Sequence, residues 1–208
     1  MDKLLNHIEN LKNSSVKKVI DNRIQEFKEA GMKSANEIFK ELCFCLLTAN
    51  YNAEKSIKIQ NELENDFLTL SESDLVGTLK KFGHRFPNAR AKFILESRKH
   101  KDTIKDILSS FKSEDKTREW LVENVKGLGY KEASHFLRNI GYENCAIIDF
   151  HIIDLLVRHK LIEKPKSLTK AKYIEIENLL REIASKANLN LAELDLYLWF
   201  TETGKVLK

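Results

Sequence analysis

Apolar residues recur along this chain at spacings of three and four and almost nowhere in strict alternation, the signature of amphipathic helices around a common core. In the segment 171–187, Ala171, Ile174, Ile183, Ala184 and Ala187 fall on or near one stripe, with Leu179 and Leu180 between them. Only seven Gly and two Pro punctuate the chain, so breaks between helices are short. The pattern predicts an all-α fold, with helices over about 3–12, 16–30, 35–49, 53–65, 72–81, 88–100, 102–111, 114–124, 131–140, 150–159, 169–186 and 190–203. Ser34 and Glu37 have capping-box spacing, and Gly31 is placed to stop the preceding helix. Ser71 with Asp74, and Ser167 or Thr169, mark further starts. No repeat or low-complexity linker divides the sequence, so residues 1–208 read as one helical unit.

Composition narrows the class without naming a function. The chain has 208 residues, enough to bury a substantial core, and its 42% hydrophobic and 32% charged residues are ordinary for a globular protein. No apolar run approaches the roughly 20 residues needed to cross a bilayer, and the first residues, MDKLLNHIENLKN, lack a signal-peptide core. These features predict a cytoplasmic protein with no membrane partner. A net charge of +4 says little about a polyanionic partner. The cluster His84, Arg85, Arg90, Lys92, Arg98, Lys99, His100 and Lys101 can either neutralise phosphates or form a solvated face. Cys43 and Cys45 sit in the apolar run LCFCLL and Cys145 stands alone, which predicts reduced, buried thiols and leaves too few for a four-cysteine iron–sulfur cluster.

The passage Val125-Lys126-Gly127-Leu128-Gly129-Tyr130-Lys131-Glu132-Ala133 joins the helices predicted at 114–124 and 131–140. Two glycines flanking one apolar residue make a tight turn. Leu128 can enter the core while Gly127 and Gly129 let a ligand approach the backbone. The next helix points free N–H groups and its positive dipole end outward, which suits phosphate. This is the helix–hairpin–helix pattern of non-sequence-specific DNA binding, at about 114–140, although a plain αα-corner also uses glycine. Asp149 follows Lys131 by eighteen residues, across one helix and the turn at Gly141, and can return beside the hairpin. Each has an ordinary alternative, Asp149 as a helix N-cap and Lys131 as a phosphate-contacting lysine.

Lys-Gly-Leu-Gly-Tyr-Lys at 126–131, followed by Ile-Ile-Asp at 147–149, resembles the signature of the helix–hairpin–helix DNA glycosylase superfamily typified by endonuclease III. The stretch GYKEASHFLRN (129–139), with LCFCLLTAN (42–50), GHRF (83–86) and ELDLYLWFTETGKVLK (193–208), is more similar still to the archaeal-type (type-2) 8-oxoguanine DNA glycosylase/lyases. The resemblance implies two interleaved helical lobes with a central cleft. It implies a monomeric, intracellular, nucleoid-associated enzyme acting on double-stranded DNA that contains an oxidised base, without cofactor, metal or iron–sulfur cluster.

The implied chemistry gives these residues work. Breaking the C1′–N bond creates a cation-like sugar, which a carboxylate at Asp149 would stabilise. A neutral lysine amine, its pKa lowered in a partly dry and cationic pocket, would attack C1′, form a Schiff base and cut the strand by β-elimination. On chemistry alone Lys126 competes for this part; the resemblance assigns it to Lys131. Base extrusion costs a few kcal/mol, and relatives place a gap-filling polar residue where Asn50 stands, with Arg85 a second candidate. Phe86 and Trp199 are the aromatics expected to sandwich the base, unless they merely pack the core. A buried acceptor facing N7–H would reject guanine, and the resemblance brings the terminal Lys208 into the base pocket. His135 lies one turn beyond Lys131, on the DNA face or at the core edge, and like Cys43 and Cys45 receives no role. Two further readings stay open: a glycosylase/lyase for another oxidised base, and a non-catalytic helix–hairpin–helix DNA-binding module.

Overall fold

Thirteen α-helices make up the protein, which a computed structural model describes over residues 1–208. They are α1 (Asp2–Lys12), α2 (Val16–Met32), α3 (Ala35–Thr48), α4 (Ala53–Leu63), α5 (Asp66–Thr69), α6 (Glu72–Lys81) and α7 (Pro87–Ser97). After a 3-10 turn at Arg98–His100 come α8 (Ile104–Ser109), α9 (Glu114–Asn124), α10 (Tyr130–Asn139), α11 (Phe150–Arg158), α12 (Lys170–Lys186) and α13 (Leu191–Thr203). None is long and apolar enough to cross a membrane.

Side-chain caps fix many of the starts. Ser34, Ser71 and Thr169 accept hydrogen bonds from the backbone N–H of Glu37, Asp74 and Lys172. The reciprocal capping box forms at Asn190 and Glu193, whereas Glu37 turns instead to Lys40. Three expectations need correction. Gly31 does not stop α2, which continues to Met32. It lets α2 approach the end of α10, since a Cβ there would lie 2.2 Å from the Ile140 carbonyl oxygen. The helix expected over 53–65 ends at Leu63, where Glu64 takes a positive φ of 38°, and the short α5 follows. The buried stripe of α12 is Tyr173, Ile176, Glu177, Leu180, Ile183 and Ala184, with Ala171 exposed and Ile174 half-buried. Apolar periodicity misses that face because a glutamate is part of it.

The buried apolar residues divide into two clusters. One is built around α3 and collects side chains from α4 to α10, ending at Cys145. The other joins the two ends of the chain, with Leu4, Ile8, Ile20 and Phe27 packed among Ala146, Ile148 and residues of α11, α12 and α13. The chain thus leaves the second cluster after α2 and returns to it after α10. Cys43, Cys45 and Cys145 are buried and free, and burial pushes the Cys145 thiol up to about 12.

A buried polar knot stands where these segments meet. Arg118 of α9 donates to both carboxylate oxygens of Glu177 on α12, one at 2.9 Å, and to Ser134 Oγ of α10 at 3.2 Å. Glu177 also accepts from the Ala146 N–H at 2.8 Å. Tyr173 Oη donates to the Ala146 carbonyl at 2.7 Å and accepts from the Ile148 N–H at 3.2 Å. Nearly all polar groups of the knot are thereby matched, as burial demands.

Three of the eight residues in the basic run at 84–101 serve the fold, while Arg85, Lys92 and Lys99 are exposed. His84 and Arg90 are buried, Arg90 donating to the Ala49 carbonyl at 2.7 Å, and Arg98 donates to the carbonyls of Phe67 and Leu70. The Phe86 N–H donates to His84 Nδ1, so Nε2 carries the proton and donates to Leu47 O.

Two consequences can be measured. Gly31→Ala should lower unfolding stability by about 1–3 kcal/mol, because backbone rather than a mobile side chain meets the new methyl; a urea titration with an unshifted midpoint would refute this. Burial holds His84, His100, His135 and His159 below the ordinary histidine value of 6.5, so they stay neutral in the folded chain while the unfolded chain takes up protons. Their contribution is present above about pH 6.5 and lost as the pH falls through the folded values. The urea midpoint should therefore drop between neutral and mildly acidic pH, and a midpoint that rises on acidification would contradict the assignment.

Candidate active site

The turn after α9 has the conformation its glycines permit. Gly127 has φ of +94°, and a Cβ there would lie 2.3 Å from the Phe93 ring, so both the dihedral and the space exclude a side chain. Leu128 is buried, closing the turn onto the first cluster. Gly129 is exposed and occupies the N-cap of α10. It has no side chain with which to cap, so the first N–H groups of α10 stay free for an outside acceptor. Lys131, the second residue of α10, is about three-quarters buried, and its Nζ lies 3.8 Å from Glu132 Oε1.

Asp149 reaches the same place from the other side. The extended segment Ala146–Ile148 is held by Glu177 and Tyr173 and delivers Asp149 to the N-cap of α11, where its Oδ1 accepts from the Ile152 N–H at 3.0 Å. The ordinary reading of Asp149 as a cap is therefore correct, and it does not displace the other. Asp149 and Lys131 both line one cavity of about 920 Å³, within the usual range for ligand sites.

The cavity also takes in Asn50, Arg85, Trp199 and Lys208. Asn50 ends α3 in the left-handed conformation, φ 56°, which asparagine tolerates better than most residues. Trp199 contributes a ring packed edge-on to His151, centroids 5.0 Å apart, and its indole N–H is buried without a partner. Lys208 Nζ donates to Glu41 Oε2 at 2.8 Å and lies 4.4 Å from the centre of the Phe44 ring. Phe86 is not among the lining residues. As N-cap of α7, with its N–H held by His84, it stays exposed beneath the guanidinium of Arg85, 4.9 Å from the ring centre. Gly127 and Gly129 lie outside the cavity too, as a hairpin directed at a backbone would.

Beneath the cavity runs a charged chain that apolar periodicity does not reveal. Arg138 pairs with Asp195, and both are buried and line the site. Burial pushes the Asp195 carboxyl up, opposed by Arg138 and reinforced by Asp149, while Lys131 acts to lower it. Arg138 also donates to Asn139 Oδ1 at 2.9 Å, and Asn139 donates to Glu41 at 2.7 Å, which completes a path to Lys208. His135 is buried and lines the cavity as well, packed edge-on to Phe44; burial is the first cause that holds it neutral, and the charges of Arg138, Lys131 and Lys208 add to it. Phe150, next to Asp149, also lines the cavity and is 67% exposed. The signal for Asp195 was available: it precedes Trp199 by four residues on one helical face, a charge inside an apolar stripe. No group of three or more His, Cys, Asp or Glu is placed to hold a metal ion.

This arrangement sets an amine, a carboxylate and an aromatic face around a cavity beside an uncapped, glycine-lined helix start. Comparison with known proteins points the same way. Residues 20–189 match the family model described as 8-oxoguanine DNA glycosylase. The chain is 54% identical over 209 residues to the 8-oxoguanine DNA glycosylase/AP lyase of Korarchaeum cryptofilum, covering 100% of this chain and 99% of that one. It is 55% identical over 206 residues to the protein of the same description from Methanocaldococcus jannaschii, covering 99% of each. The crystal structure of the M. jannaschii 8-oxoguanine glycosylase/lyase in complex with a 15mer DNA containing 8-oxoguanine superposes with a TM-score of 0.97, covering 99% of this chain and 100% of that one at 55% identity. That of the 8-oxoguanine DNA glycosylase of Thermotoga maritima gives 0.94 at 41% identity, covering 100% and 99%. This chain belongs to the 8-oxoguanine DNA glycosylase family.

Proposed function

We propose that the chain excises 8-oxoguanine from duplex DNA and then cuts the strand at the abasic site, with Lys131 as nucleophile and Asp149 as its carboxylate partner. The observation that carries this reading is that both line one cavity beside the glycine hairpin. Gly127 and Gly129 bring backbone N–H groups to a phosphate, and the positive end of α10 favours the anion. Asn50 and Arg85, exposed at the cavity, fill the gap left by the extruded nucleotide. Trp199 supplies a stacking face in the base pocket, and Lys208 contributes to its lining. Support for two interleaved lobes comes from the two apolar clusters: Tyr51, packed against the first, and Ile152 of the second both line the cavity.

The chemistry then runs on side chains and water, with no cofactor. As the C1′–N bond breaks, the base leaves with the bonding pair and gains a proton. Asp149 stabilises the positive charge that grows on the sugar. The neutral amine of Lys131 bonds to C1′ and becomes an ammonium; one of its two protons passes to O4′ as the C1′–O4′ bond breaks, and the opened sugar is left as an iminium that keeps the other N–H. That group acidifies the 2′ hydrogen, whose removal expels the 3′ phosphate and cuts the strand. Water hydrolyses the imine and frees Lys131. All these groups come from one chain, so a monomer suffices, acting inside the cell where its DNA is.

Borohydride should trap a covalent complex with 8-oxoguanine duplex, and Lys131→Gln should abolish it; trapping that survives moves the nucleophile elsewhere, Lys126 first. An equal excision rate on an oxidised pyrimidine would count against the base assignment. Asp149→Asn keeps a good N-cap, so the thermal midpoint should hold while excision slows by about 100-fold or more. An unchanged rate would remove Asp149 from the chemistry.

A further inference from the structure

Lys131 and Asp149 lie on separate segments, and something must fix the distance between them. Reactivity is steep in that distance: a displacement near 1 Å can cost about 100-fold in rate. The hairpin cannot set it, because Asp149 lies beyond the hairpin and beyond α10. The segment Ala146–Ile148 cannot set it alone, since it is neither helix nor paired strand.

We infer that Tyr173 of α12, together with Arg118 and Glu177, is a positioning residue for the reaction, holding Asp149 in register with Lys131. None of the three lines the cavity, so none touches substrate. Their contacts reach both sides of the catalytic pair. The Tyr173 hydroxyl bonds the carbonyl of Ala146 and the N–H of Ile148, the residue immediately before Asp149. The same hydroxyl lies 3.4 Å from Ser134 Oγ, on α10 one turn beyond Lys131. Ser134 is in turn held by Arg118, whose guanidinium lies 5.2 Å from the ring of Tyr130, the residue before Lys131, and 5.7 Å from that of Tyr173. Glu177 binds Arg118 and the Ala146 N–H together. One hydroxyl and one ion pair therefore connect the start of α10 to the approach to Asp149, through atoms that are all buried.

This role differs from ordinary core packing in what its loss would do. A packing residue changes the fraction of molecules that are folded; a positioning residue changes the rate of each folded molecule. Tyr173→Phe removes only the hydroxyl and keeps the ring against Tyr130 and Arg118. With the full-length protein in excess, the single-turnover rate of borohydride-trappable complex on an abasic-site duplex should fall by about 10- to 100-fold, while affinity for a duplex bearing an uncleavable abasic analogue stays within about threefold. An unchanged rate overturns the inference, as does a fall in rate matched by an equal fall in affinity. Should Tyr173→Phe not fold, Ser134→Ala, which loosens only the α10 side, decides by the same two measurements. The inference rests on the proposed lyase chemistry but asks nothing of base recognition. Failure to excise 8-oxoguanine would therefore count against that reading while the abasic-site measurement still decides this one.

Discussion

The ion pair of Arg118 with Glu177 is the constraint around which the rest of the molecule is arranged. Both side chains are about 1% exposed, and removing two charges from water is costly unless their attraction and hydrogen bonds replace the lost solvent. Here the replacement is nearly complete, through Ser134, Asp115 and the Ala146 N–H as well as the two carboxylate contacts. Such a pair adds little net stability over an apolar substitute. What it adds is uniqueness of register: a slip of α12 by one turn would leave a buried charge without its partner, whereas a slipped leucine would find another hollow.

From that fixed point the site follows by short steps. α9 enters the glycine turn and α10 leaves it, so the hairpin is tied to Arg118 from one side and Ser134 from the other. The chain then crosses back through Ala146–Ile148, bonded at each end by α12, and begins α11 at Asp149. Each helix start along this route is treated according to its use. Ser113, Asp149 and Thr169 close theirs with side-chain oxygens, while Gly129 leaves that of α10 open. Open N–H groups are a liability in a core and an asset against phosphate.

The sequence made legible what depends on local periodicity and on motif. Helix positions, the Ser71 and Thr169 caps and the hairpin could be read from residue types a few positions apart, whereas the choice of Lys131 with Asp149 came from the family resemblance. What it hid depends on charges facing inward. Glu177 lies on the buried stripe of α12, and Arg138 and Asp195 lie beneath the cavity, because each has a partner from a distant segment. Periodicity assigns charge to solvent, so it placed the stripe of α12 through Ala171 and Ile174 instead. For the same reason the basic run at 84–101 read as a phosphate-facing or solvated patch, while Arg90 and Arg98 serve carbonyl groups from within. Phe86 is a different case: aromatic character alone does not say which way a ring at a helix start will point, and this one stays outside the cavity lining.

Asp149 carries one more implication. The carboxyl group that lines the cavity also closes the first turn of α11, through its Oδ1. Folding therefore orients this acid before any nucleic acid arrives, and the free enzyme and its complex need not differ there. Under the proposed chemistry, selection acting on the fold and selection acting on turnover converge on one side chain. Asn, like Ser or Thr, meets the first demand and under the proposed chemistry fails the second, so a slow but well-folded lesion binder lies a single substitution away.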